Sequence, residues 1–114
     1  MRIRGLAIAC ILLAACREGV RPDSTDGPAI FAAYCATCHG PDGRPPAAMI
    51  ARLGVKDLTS PAVRAKATPD FVEQQVRKGS DNKLMPSFVS VINEAQIKAV
   101  AAFVASSAFV TPPP

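Results

Sequence analysis

The chain has no tryptophan, a single tyrosine, five phenylalanines and one histidine in 114 residues. So few large side chains make a thin core for the length, and small single cores are marginally stable. The lone histidine, His39, excludes any site that takes two imidazoles from one polypeptide. Long apolar runs are missing as well. Residues 6–15 form an uninterrupted apolar stretch, too short to span a bilayer as a mature helix. There are no internal repeats. No basic patch is interleaved with aromatic residues, so nothing points to a nucleic-acid partner.

What is present begins at the N-terminus. Met1, Arg2, Ile3 and Arg4 form a short basic head before the apolar run, the form of a signal peptide over residues 1–15. The run ends Leu13-Ala14-Ala15-Cys16, which resembles a bacterial lipobox. That resemblance implies that Cys16 is lipidated and becomes the first mature residue, anchored to a membrane. The other reading is a plain signal peptide cleaved near the same alanines. Arg17 is not the aspartate that typically marks inner-membrane retention, so the sorting rule leaves the outer membrane open. Thirteen Lys and Arg against nine Asp and Glu give a net charge of +4. Removing Arg2 and Arg4 halves that excess, so the basic balance belongs largely to the leader and argues for no polyanionic partner.

Four cysteines would suggest two disulfides, but their positions divide them differently. Cys10 lies in the leader and Cys16 at its end. The other two form Cys35-Ala36-Thr37-Cys38-His39. This C-x-x-C-H run is the attachment pattern of c-type haem. Two thiols add across the two vinyl groups of one haem, so two residues must separate the cysteines. His39, next in line, is carried beneath the iron as proximal ligand. A redox disulfide would want a βαβ pattern, which is lacking. A structural zinc site would want four ligands, and there is no second cysteine pair or histidine to complete it. Export fits haem c, which is found outside the cytoplasm. Two haem propionates would bring the remaining charge near zero, and a buried porphyrin would supply apolar area that the core lacks. The haem-free chain is therefore expected to fold poorly. With one histidine, the sixth iron position is methionine, lysine or open.

Along the chain, residues 16–26 are polar and without apolar period, and read as a flexible tether. A first helix opens at Asp26 or Gly27 with Pro28 in its first turn, and sets Ile30, Phe31, Tyr34 and Cys35 on one face. Gly40-Pro41-Asp42-Gly43 is turn chemistry. The carbonyl of Pro45 or Pro46 is a candidate acceptor for the His39 ring N–H. A short helix over 47–53 stops at Gly54, and Ser60-Pro61 starts another. Thr68-Pro69-Asp70 starts a helix that runs to Lys78, with Phe71, Val72 and Val76 inward and Gly79 as stop. Residues 79–89 form a loop holding Met85-Pro86. Proline keeps the preceding residue extended, so a rigid loop can present the Met85 sulfur to iron. Met49, the other internal methionine, falls in a short helix where a core role is the default. Asn93 and Gln96 form a capping box for the last helix, whose apolar face is Ile97, Val100, Ala101, Phe103 and Val104. Residues 108–114 read as a proline-rich tail, extended and mobile over Thr111-Pro112-Pro113-Pro114.

Gly27, Phe31, Cys35-x-x-Cys38-His39, Met85-Pro86 and the final helix with Phe103 resemble the class I mono-haem c-type cytochromes, in their small bacterial lipoprotein form related to terminal-oxidase subunits. The resemblance spans roughly 26–107, with 27–107 as the haem domain. It implies an all-α fold of three to five helices round one covalent haem c. It also implies Cys35 and Cys38 as attachment points, and His39 and Met85 as axial ligands. The first and last helices should cross, with Gly27, Phe31 and Phe103 allowing close approach and Ala99 or Val100 standing where the family often has a larger side chain. The implied function is one-electron carriage between redox proteins in a periplasmic or respiratory chain, with no small-molecule substrate. Arg77, Lys78 and Lys83 are candidates to steer an acidic partner, although the ordinary reading of such charges is a solvated surface. A haem with an open or labile sixth position, acting on a small oxidant or gas, is the alternative.

Overall fold

The structure is a computed structural model that describes residues 19–111. The leader, Cys10, Cys16 and residues 112–114 lie outside the described residues. The fold is all-α. Its helical segments are α1 (Gly27–Tyr34), α2 (Ala36–His39), α3 (Ala47–Leu53), α4 (Pro61–Arg64), α5 (Pro69–Lys78), α6 (Glu94–Ala105) and α7 (Ser107–Val110). Five coincide with the helices expected from the sequence. The additional two, α2 and α7, are single turns of four residues, too short to leave a periodic pattern.

Local chemistry sets the boundaries. The Ala29 N–H donates to Asp26 Oδ1 at 3.2 Å, Val63 N–H to Ser60 Oγ at 3.3 Å and Phe71 N–H to Thr68 Oγ1 at 3.2 Å. Each satisfies an orphan donor of a first turn that also carries proline. At α6 the box is reciprocal. Gln96 N–H donates to Asn93 Oδ1 at 2.9 Å, and Asn93 N–H to Gln96 Oε1 at 3.1 Å.

The core lies where α1 and α5 pack on α6, with Ile30, Phe31, Val76, Ile92, Ile97, Val100 and Val104 buried. The expected crossing of α1 and α6 is present. A Cβ on Gly27 would lie 2.7 Å from Phe103 Cβ and 2.8 Å from the Ala99 carbonyl oxygen, so only glycine admits this approach. The small Ala99 is itself part of the contact.

Three expectations are corrected. Residues 108–110 are not a loose tail: Phe109 in α7 is buried. Its ring meets Phe31 and Phe103 edge to face, at centroid separations of 5.1 and 5.3 Å. Arg64 clamps this end by donating to the carbonyls of Val104 at 2.8 Å and Ser106 at 3.2 Å. Nor is the tether free along its length. Val20 packs against the core cluster, Gln96 Nε2 donates to the Arg21 carbonyl at 3.2 Å, and Asn93 Nδ2 to the Pro22 carbonyl at 2.9 Å. Finally, Phe71 is not inward but 47% exposed. It falls on the face of α5 that carries Gln74, Gln75 and Lys78, not on that of the core-facing Val72 and Val76.

Candidate functional site

Cys35 ends α1 with φ −113°, and the chain resumes at once as the turn α2. The Cys38 and His39 N–H groups both donate to the Cys35 carbonyl, at 3.2 and 2.9 Å. Cys35 and Cys38 are therefore three apart within one helical turn and share a side of it. Both thiols are free, and both residues are half-buried. Burial and the neighbouring Cys38 push the Cys35 thiol up to about 11. The shift disfavours the thiolate form that a metal site would need. Among the described residues no three His, Cys, Asp or Glu side chains converge, so a tetrahedral zinc site lacks its ligands.

His39 Nδ1 lies 3.0 Å from the Lys56 carbonyl oxygen. A carbonyl only accepts, so Nδ1 carries the proton and the Nε2 lone pair is free to bind a metal. Burial holds the imidazole below its ordinary pKa, with the Lys56 bond opposing in part, so the ring is neutral at neutral pH. The acceptor expected at Pro45 or Pro46 is thus corrected to Lys56. The Pro46 carbonyl is engaged at the start of α3, by Met49 N–H at 2.9 Å and Ile50 N–H at 3.3 Å. No sequence signal distinguishes Lys56, because every residue offers a carbonyl and only the return of the chain selects one.

Met85 is gripped through its backbone. Ser80 N–H donates to the Met85 carbonyl at 2.9 Å, and Met85 N–H to Ser80 Oγ at 3.0 Å. Gly79 lets the chain turn onto itself with φ +71°, and a Cβ there would lie 2.4 Å from the Met85 carbonyl oxygen. Asn82 Oδ1 accepts from Leu84 N–H at 3.1 Å, while Lys83 takes φ +63°. The Met85 side chain is part-buried and packs, like Cys35, on the Ile30–Phe31–Val76 cluster. Met49 is equally part-buried, but it lies on α3, a helix with no buried residue, and does not join that cluster, so the core role expected for it is not met within the protein. Of the cations expected to face a partner, Arg77 is engaged. It pairs with Glu73 at 2.7 Å and Glu94 at 2.6 Å, leaving Lys78 and Lys83 exposed.

The donor set suits a haem: two thiols on one turn, a neutral imidazole with a free nitrogen and a thioether on a pinned loop. The surroundings suit it too. Large apolar side chains flank these groups along the chain and stand exposed, including Ile50 (46%) and Leu53 on α3, Phe71 on α5, and Leu84, Val89 and Val91 (49%) about Met85. A broad apolar ring would cover such surface. Comparison with known proteins agrees. The family model described as cytochrome c oxidase, cbb3-type, subunit III matches residues 22–104. A solved structure, the KustC0563 c-type cytochrome, is similar at 26% identity and a TM-score of 0.61. The match covers 70% of this chain and 94% of that one.

Proposed function

Because the chain belongs to the cbb3-type cytochrome c oxidase subunit III family, and so carries covalently bound haem c for electron transfer, we propose that it is a one-electron carrier with His39 and Met85 as axial ligands. The haem supplies a one-electron ferric/ferrous couple and no atoms are transferred. Cys35 and Cys38 hold its edge by thioether bonds. Lys56 fixes the His39 ring through Nδ1 and leaves Nε2 available to the iron. The Ser80–Met85 pairing would hold a soft sulfur for the iron, which favours the reduced state. With His39 and Met85 both holding the iron, no position would be left for a substrate. The observation that carries this reading is the free Nε2 of a neutral His39 one residue after two free thiols on the same turn.

The test is direct. The exported protein should contain one haem c per chain by pyridine haemochrome, titrate reversibly with one electron, and leave its reduced spectrum unchanged under carbon monoxide. Stoichiometric carbon monoxide binding would instead reveal an open sixth position and the oxidant- or gas-handling alternative.

We further propose a cell-envelope, periplasm-facing location with a lipid on Cys16, and redox proteins as donor and acceptor. No helix among the described residues is long and apolar enough to cross a membrane. The docked segment at Val20–Pro22 shortens the tether. Four residues from Cys16 to Val20 reach at most about 13–14 Å, near the roughly 12 Å radius of gyration expected of a domain this size. The α6 N-terminus would then stay near the bilayer surface. Cys16→Ser is expected to move the holoprotein from the membrane to the soluble fraction with its haem spectrum unchanged. Retention in the membrane fraction would remove the anchor.

A further inference from the structure

Gln75 is part-buried on α5, four residues before Gly79. Its Nε2 donates to the Gly79 carbonyl at 3.0 Å and lies 3.9 Å from Met85 Sδ. A side-chain amide nitrogen carries two protons, so each contact can take one. The 3.9 Å separation is long for an oxygen acceptor but within reach of the larger sulfur. The backbone of Met85 is already held by Ser80, and α5 already ends through the Gly79 N–H, which donates to the Gln75 carbonyl at 2.8 Å. The contact to sulfur is therefore not needed to close the loop.

We propose that Gln75 is a positioning residue for the Met85 thioether, selecting the sulfur lone pair that faces the metal and weakening its donation. The inference rests on Met85 being the axial ligand. A thioether sulfur has two lone pairs, and a metal takes one. An N–H held against the other leaves a single orientation and draws electron density from the sulfur. The oxidised metal needs that density more than the reduced one, so the hydrogen bond raises the potential. Sequence reading had no means of finding Gln75. It is one of several polar residues on an amphipathic helix, and its meeting with Met85 follows from the loop folding back.

Two variants test the proposal on the intact holoprotein: Gln75→Met, which keeps the length without a donor, and Gln75→Leu. Poised at the wild-type midpoint, where ferric and ferrous forms are equal, each variant is expected to be at least threefold ferric. That is about 28 mV lower, at 59 mV per tenfold for one electron. The ferric iron–sulfur charge-transfer band should persist, and the Met85 methyl resonance of the reduced protein should split or broaden as the second sulfur configuration becomes populated. An unchanged midpoint and a single sharp methyl signal in both variants would overturn the role, even if their melting temperatures fell, since a purely structural Gln75 would move only stability. Absence of the charge-transfer band in the wild type would overturn Met85 ligation itself, and this inference with it.

Discussion

Exported Cys35→Ser/Cys38→Ser protein is expected to be colourless and to melt without a cooperative transition. Among the described residues the buried hydrophobic core is nine side chains, four of them essentially completely buried: Ile30, Ile97, Val100 and the small Ala101. All of α3 lies outside that core. Its apolar Ile50 and Leu53 stand exposed, as do Phe71, Leu84, Val89 and Val91. Each large side chain fully buried is worth about 1.5–3 kcal/mol, so covering even some of these decides the stability of a domain near the marginal size. Losing both thioether bonds would remove the group proposed to cover part of this surface, and the constraint that keeps it there. Circular dichroism and calorimetry of the variant provide the measurement. A sharp, reversible transition in the haem-free chain would mean that the Ile30–Ile97–Val100 core suffices by itself.

Met85→Ala should have the largest effect on redox behaviour. The ferric charge-transfer band is expected to disappear and the midpoint to fall by on the order of 100 mV or more, within the roughly 0.8 V over which axial ligands set haem potentials. The fold should persist. The hydrogen bonds that close the loop run from Ser80 to the Met85 backbone and survive loss of the side chain. The sixth position would open, and carbon monoxide should then bind the reduced form. An unchanged band and midpoint would reassign the ligand, with Met49 on α3 the next thioether to examine.

These effects trace to features of unequal legibility in the sequence. Helix starts were plain because Asp26, Ser60, Thr68 and Asn93 each act on a donor within three residues, and local bonds leave local signals. Met85 stood out because Met-Pro in a loop is locally constrained. Most of the misreadings concern long-range contacts. Residues 108–110 looked like the start of a proline-rich tail, yet Phe109 completes an aromatic cluster with Phe31 and Phe103. Residues 20–22 looked like linker, yet they satisfy Asn93 and Gln96, whose capping role alone was visible. Arg77 was a candidate to steer a partner, yet two carboxylates hold it.

The order of residues by itself determined the chemistry: two thiols and an imidazole at one spacing, a thioether before proline, and the periods and caps of an all-α chain. These depend on neighbours a few bonds away, so the linear text contains them whole. Only the tertiary structure decided which carbonyl orients His39, which amide meets the Met85 sulfur and which ends of the chain are tied down. Each joins residues that backbone folding brings together, and any of many identical carbonyls and amides could have served until the fold selected one.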